Sequence, residues 1–98
     1  MKDIPKYLYH CSPKTNRQSI LENGLIGKYN GTWGIYLSEN PNSWKTSDLD
    51  LYKVCTDNLD INEFYTVDEK LDETIYFGKI KNKVCIPNNN IKLMEEEK

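Results

Sequence analysis

A chain of 98 residues is long enough for one domain with one modest hydrophobic core, so we expect residues 1–98 to form a single domain. Thirteen basic residues against fifteen acidic ones give a net charge of −2, and nucleic acid is therefore not an expected partner, because phosphate binding needs a basic excess. No apolar run is long enough to cross a membrane. The three cysteines are widely spaced and form no CxxC pair, so they are expected to be free thiols that bind no metal. These features predict a cytoplasmic protein.

The first predicted elements are a strand and a short helix. YLYHC at 7–11 is typical of a strand, and it contains His10, the only histidine of the chain. Thr15 is the expected helix N-cap, because Gln18 follows three residues later and completes a capping box. The helix RQSILEN at 17–23 is expected to end at Gly24, which can adopt the left-handed conformation of a C-terminal cap.

Strands dominate the remainder of the predicted fold. TWGIYLS at 32–38 indicates a second strand, followed by a turn with a single helical turn at 42–45. LDLYKVCT at 49–56 is a third strand whose two faces are both mixed, so the pattern leaves the buried face open. Later strands are expected around Phe64, Tyr65 and Val67 within the acidic stretch 57–72, then at 74–80, at 84–86 and at 91–94. Gly78 within the strand at 74–80 indicates a bulge or a close approach of another group to the backbone.

The overall pattern, one helix near the start and many short strands, predicts an α+β fold with mostly antiparallel sheets. The acidic tail at 95–98 is expected to fray.

Three short stretches could carry chemistry. They are the segment around His10 at the end of the first strand, GIYLS at 34–38, which contains Tyr36, and the acidic pair Asp72-Glu73. Taken singly, each fits an ordinary structural role, because a strand-end histidine, a strand tyrosine and a solvated glutamate are common in small domains. Their order along the chain is what makes them informative.

Four segments in this order resemble the ADP-ribosyltransferase fold superfamily, in particular its small members of the His-Tyr-Glu type. They are LYHCS at 8–12, SILENGL at 19–25, GIYLS at 34–38 and IPNNNI at 86–91, so the similarity extends over almost the whole chain. The resemblance implies a small split antiparallel β-sheet with one short N-terminal helix, and a cleft between two sheets that binds NAD as a substrate.

The resemblance also implies roles for particular residues. His10 would hydrogen-bond the ribose beside the adenine, Tyr36 would stack on the nicotinamide, and Glu73 would hold a ribose hydroxyl and stabilise the oxocarbenium-like species as nicotinamide leaves. These three are the expected catalytic residues. The expected NAD-binding residues are His10, Cys11, Ser12, Tyr36 and Ser38.

Two departures from the family pattern are visible. Many members have glycine directly after the histidine, where this chain has Cys11. No Glu-x-Glu or Gln-x-Glu pair precedes a strand, and Asp72, Glu69 and Glu63 therefore compete with Glu73 for the role of the acid.

The sequence predicts an NAD-dependent mono-ADP-ribosyltransferase-like protein that modifies a macromolecular target, expected to be a protein. The alternative is a catalytically inactive relative that binds a nucleotide or a partner protein, such as a small inhibitor encoded by a mobile element, for example a phage. A third interpretation is a small α+β domain in which His10 and Tyr36 are structural. Target, acceptor residue and oligomeric state are left open by the sequence.

Overall fold

The structure is a computed structural model that describes residues 4–68 and 70–94. Glu69, one of the competing acids, and the tail at 95–98, which was predicted to fray, lie outside the described residues. The described part is mostly strand, with two short α-helices and three 3-10 turns. In chain order the elements are β1 (Tyr7–Pro13), a 3-10 turn (Lys14–Asn16), α1 (Arg17–Asn23), β2 (Leu25–Ile26), α2 (Lys28–Gly31), β3 (Ile35–Leu37), β4 (Leu49–Cys55), a 3-10 turn (Ile61–Glu63), β5 (Phe64–Asp68), β6 (Glu73–Tyr76), β7 (Lys79–Ile80), β8 (Lys83–Ile86), a 3-10 turn (Asn88–Asn90) and β9 (Ile91–Met94).

The strands form three small antiparallel sheets, each with three strands. Their orders are β1-β4-β9, β2-β8-β7 and β3-β6-β5. The α+β class and the antiparallel pairing predicted from the sequence are therefore confirmed.

The first and third sheets are joined at one point. Tyr9 in β1 and Ser38, just after β3, exchange two backbone hydrogen bonds of 2.8 Å each. This bridge fixes the end of β3 against the middle of β1, and it brings His10 of β1 next to Tyr36 of β3.

One hydrophobic core lies between the sheets. β4 contributes Tyr52 and Val54, which are fully enclosed, and Asp50 shares their face. This settles the face that the sequence pattern left open. The other core side chains come from every sheet and from α1, and they are Leu8, Ile20, Leu25, Ile35, Leu37, Tyr76, Val84 and Ile86.

The predicted N-cap of the helix is wrong. Thr15 lies inside the 3-10 turn, and Asn16 occupies the cap position without a capping side-chain bond. The turn itself satisfies the first free amide, because the N–H of Arg17 donates to the carbonyl of Lys14. The Gln18 amide donates to Glu22 one turn later instead of closing a capping box. Gly24 ends the helix with a positive φ of 83°, as predicted, but its ψ of −173° is extended and differs from the predicted left-handed helical conformation.

Three strand and turn predictions need correction. The second strand is shorter than 32–38, because Trp33 turns back to donate its backbone N–H to Lys28. The strand predicted at 74–80 is divided at Gly78 into β6 and β7, which join different sheets. The close approach indicated by Gly78 is confirmed, because a Cβ there would collide with the hydroxyl of Tyr76. Residues 42–45 form no helical turn, because the loop is organised by hydrogen bonds to the Asp72 carboxylate.

Candidate functional site

A cleft of about 480 Å³ opens where the first and third sheets meet. Its walls come from β1, β3, β4, β6, α2 and the loop after β3. The lining residues are Tyr9, His10, Cys11, Lys28, Tyr36, Leu37, Trp44, Leu49 and Glu73. His10, Tyr36 and Glu73, which are far apart in the sequence, thus face the same opening.

His10 is held by a hydrogen bond across the sheet junction. Its Nδ1 lies 2.7 Å from the carbonyl oxygen of Tyr36, and because a carbonyl only accepts, Nδ1 carries the proton. Burial lowers the pKa of His10 below its ordinary value of 6.5, and the positive charge of Lys28 adds to this, while the bond to Tyr36 opposes it. The ring is therefore neutral at pH 7.

The second ring nitrogen of His10 is available to a ligand. No hydrogen bond to Nε2 is made by the described residues, and no fully buried side-chain nitrogen or oxygen among them lacks a partner. Nε2 is therefore an accessible acceptor. The donor of the neutral imidazole is used within the fold, and the acceptor is what the ring can offer to a ligand.

Tyr36 is fixed at both its hydroxyl and its ring. The indole Nε1 of Trp33 donates to the Tyr36 hydroxyl at 2.9 Å, and the ammonium of Lys28 lies 4.5 Å from the centre of the Tyr36 ring. Trp33 is in turn packed edge-on against Phe77 at 5.6 Å between ring centres. One face of Tyr36 is thus in contact with a cation.

Glu73 and Asp72 have different surroundings although they are adjacent. Glu73, the first residue of β6, lines the cleft. The Asp72 carboxylate accepts hydrogen bonds from the backbone N–H groups of Glu39 and Asn40, at 2.7 and 2.8 Å, and from the Ser43 hydroxyl at 2.6 Å. Asp72 is therefore engaged in holding the loop.

The pKa of Asp72 reflects this engagement. Partial burial by itself raises the pKa of the carboxyl group, but the hydrogen bonds from Ser43, Glu39 and Asn40 outweigh it and hold the pKa below 3.8. The same loop carries Trp44, whose indole N–H donates to the Asp72 carbonyl at 3.3 Å. Asp72 thereby positions an aromatic wall of the cleft.

Of the other competing acids, Glu63 ends a 3-10 turn beside β5, and its backbone carbonyl accepts from Phe77. It does not line the cleft. Among the described candidates for the acid, only Glu73 does.

The remaining predicted NAD-binding residues are distributed unevenly. Cys11 lines the cleft, and burial raises the pKa of its thiol, with the charge of Lys45 opposing. Ser12 is buried and accepts from the Asn16 amide at 3.1 Å, whereas the Ser38 hydroxyl donates to the Asn40 carbonyl at 2.9 Å. Neither serine lines the cleft.

Sequence reasoning missed three polar or aromatic residues of the cleft, Tyr9, Lys28 and Trp44. Lys28 comes from α2, a four-residue element with left-handed Tyr29 and Asn30 inside it, which no apolar periodicity indicates. Trp44 had a sequence signal, because a tryptophan within a predicted turn is typical of a binding surface. In the structure its side chain is 48 % exposed.

No protein-family model matches the chain, and a search of curated proteins finds no match either. Within residues 4–68 and 70–94, neither helix has the length and apolar character needed to span a bilayer. The same residues contain no cluster of three His, Cys, Asp or Glu side chains that could hold a metal ion. The functional argument therefore depends on the cleft itself.

Proposed function

We propose that the cleft binds NAD and that the chain is a mono-ADP-ribosyltransferase-like protein acting on a protein target. One observation carries the proposal: His10, Tyr36 and Glu73 line a single cleft of about 480 Å³. Small-molecule sites are commonly about 300–1,000 Å³ and combine apolar walls with a few polar groups. The resemblance of four sequence segments to the ADP-ribosyltransferases supports the same proposal.

Each of the three side chains suits its proposed role. His10 Nε2 accepts a hydrogen bond from a ribose hydroxyl, which requires the neutral ring that burial favours. The Tyr36 ring offers a face to the positively charged nicotinamide. Glu73 accepts from the 2′-hydroxyl of the nicotinamide ribose.

The proposed reaction is a group transfer at C1′ of that ribose. The bond from C1′ to the ring nitrogen breaks, and its electron pair leaves with nicotinamide, which becomes neutral. The Glu73 carboxylate stabilises the positive charge that develops on the ribose. A nucleophile on the target then bonds to C1′ and releases its proton to water.

The test uses NAD labelled in the nicotinamide, incubated with the protein and cell lysate. We expect the wild type to release nicotinamide, and Glu73→Gln to lose this activity while still binding NAD in calorimetry. Glu22→Gln, which removes an exposed acid of α1 outside the cleft, is the matched control and should keep the full rate. Absence of both NAD binding and nicotinamide release in the wild type contradicts the proposal.

A second candidate is a non-catalytic relative that binds a nucleotide or a partner protein, such as an inhibitor encoded by a mobile element. It is favoured by the number of acids in the cleft. Glu73 lines the cleft, whereas the adjacent Asp72 carboxylate is hydrogen-bonded to the loop after β3. A pull-down that recovers one stoichiometric partner, unaffected by His10→Ala and Tyr36→Phe, would select this function over catalysis. Recovery of no partner would count against it.

A further inference from the structure

Lys28 brings a positive charge into the cleft. It is the one lysine or arginine among the lining residues, and its Nζ lies 4.5 Å from the centre of the Tyr36 ring. It forms no ion pair with any carboxylate in the described ranges, although Glu73 lines the same cleft. Among the described residues, the Tyr36 ring is therefore the group that this ammonium contacts.

The backbone that carries Lys28 is firmly held. The N–H of Gly27 donates to the Val84 carbonyl at 2.9 Å, and the Lys28 carbonyl accepts from the N–H of Trp33 at 3.0 Å. A Cβ at Gly27 would collide with the Trp33 carbonyl, so only glycine allows this approach. Because Trp33 also donates to the Tyr36 hydroxyl, ring and backbone are tied together and the Lys28 side chain is the movable part.

We infer that Lys28 competes with the ligand for the Tyr36 ring and sets the specificity of the cleft. A ligand with a cationic ring displaces the ammonium from Tyr36, and the displaced ammonium then pairs with an anionic group of the same ligand. The inference rests on the proposed function, because NAD carries both a cationic ring and a diphosphate.

Two physical properties support this exchange. Two cations on one aromatic face repel each other, so a cationic ring that stacks on the face covered by Lys28 must replace the lysine there. Lysine carries a compact charge on a flexible four-carbon stem, and it can therefore follow a phosphate without movement of α2. A ligand with only one of the two charges gains only one of the two contacts.

The test compares Lys28→Met with wild type, using two fragments and NAD. 1-Methylnicotinamide carries the cationic ring without phosphate, and ADP-ribose carries the diphosphate without that ring. Affinities are measured by NMR titration of the indole N–H signals of Trp33 and Trp44. Lys79→Met, an exposed position on β7 outside the cleft, gives the same change of net charge.

We expect Lys28→Met to bind 1-methylnicotinamide about tenfold more tightly and ADP-ribose about tenfold more weakly than wild type. Lys79→Met should change neither affinity. If NAD binds the wild type but Lys28→Met leaves both fragment affinities within about twofold, or shifts both in the same direction, the competition is refuted while the proposed function stands. The remaining outcome is that NAD and both fragments fail to bind the wild type, and also fail to bind Lys28→Met, with native circular dichroism in both proteins. In that case the proposed function fails, and the inference fails with it.

Discussion

His10 connects the fold and the cleft through the two nitrogens of one ring. Nδ1 donates to the Tyr36 carbonyl and so links β1 to β3, whereas Nε2 is the accessible acceptor. Acceptance by Nε2 requires the neutral ring, whereas Nδ1 donates in either protonation state, and burial is what disfavours the charged ring. The protonation of a single side chain therefore affects stability and ligand binding together.

The first prediction concerns the pH dependence of stability. The folded pKa of His10 lies below 6.5, so between these two values the unfolded chain binds a proton that the folded chain does not. The contribution of His10 is fully present above pH 6.5, and it is lost as pH falls toward the folded pKa. We expect the free energy of unfolding, measured by urea titration, to decrease over this window.

His10→Gln supplies the control, because a glutamine amide can donate to the Tyr36 carbonyl and does not titrate. Its free energy of unfolding should be nearly constant over the same window. The carboxyls of Asp50 and Asp72 have pKa values below 3.8 in the folded chain, and their contributions disappear only at lower pH. An identical slope in wild type and variant would disprove the assignment to His10.

The second prediction concerns the only arginine of the chain. Arg17 on α1 donates to both carboxylate oxygens of Asp50, at 2.8 and 2.6 Å, and Asp50 is only 5 % exposed. These bonds lower the pKa of Asp50, and burial opposes them. In Arg17→Met the burial of Asp50, which raises its pKa, becomes the dominant effect. We therefore expect the pKa of Asp50 in an NMR titration to rise above 3.8, and acid unfolding to begin at a higher pH.

Arg17→Lys is the informative comparison for this pair. Lysine keeps the charge but cannot donate two parallel bonds to one carboxylate, so its acid-unfolding midpoint should lie between those of wild type and Arg17→Met. A midpoint unchanged in both variants would mean that the Asp50 carboxylate is stabilised without Arg17, by the charge of Lys14 and the Tyr52 hydroxyl at 3.5 Å.

At the scale of elements, the loop after β3 depends on a distant acid. The Asp72 carboxylate binds the backbone of residues 39 and 40, and Ser43, across about thirty positions of sequence. Asp72 itself has φ 53°, a left-handed conformation that asparagine tolerates equally well. Asp72→Asn therefore alters the hydrogen bonds without straining the backbone.

The third prediction follows from this loop. An asparagine has one acceptor oxygen, and its NH2 group faces donors, so at least one bond to the loop is lost at a cost of about 1–3 kcal/mol. Hydrogen exchange at the amides of Glu39 and Asn40 should accelerate roughly tenfold in Asp72→Asn.

Asp60→Asn is the matched control, because Asp60 accepts from the N–H of Asn62 in a separate turn. It should leave exchange at Glu39 and Asn40 unchanged. Unaltered exchange in Asp72→Asn would show that the loop is held without the carboxylate.

The sequence predicted those elements whose signals are local. β1, α1 and β4 were found because alternation, a terminal glycine and helical spacing lie within each segment. α2 was missed because its left-handed residues, Tyr29 and Asn30, interrupt any helical pattern, and Asn30 accepts a hydrogen bond from Lys83, 53 positions away. The division into β6 and β7 was not predicted either, because the apolar pattern continues through Gly78.

The same distinction applies to the cleft. His10, Tyr36 and Glu73 came from order along the chain and from the resemblance, and the sequence alone could not say that they line one cavity. Asp72 could not be separated from Glu73 by sequence, because its role depends on the backbone of a loop about thirty residues away. Long-range contacts of this kind leave no local pattern.

At the scale of the whole molecule, three sheets with three strands each share a single core. Leu8 comes from the first sheet, Ile86 from the second and Leu37 from the third, and all three are almost completely enclosed. None of these sheets has another apolar cluster of comparable size among the described residues. We therefore expect the sheets to unfold together.

The last prediction tests this cooperativity with Leu37→Ala. Leu37 is 2 % exposed, and its truncation leaves a cavity between the sheets that should lower the free energy of unfolding by about 2–5 kcal/mol. Leu21→Ala removes the same atoms from a side chain of α1 that is 45 % exposed, and it should cost far less, about 0.5 kcal/mol. In both variants, urea transitions followed by circular dichroism and by tryptophan fluorescence should coincide, as for a two-state domain. Separate transitions in Leu37→Ala would show that the sheet containing β3 unfolds independently, and the cleft between the first and third sheets would then open before the rest of the fold.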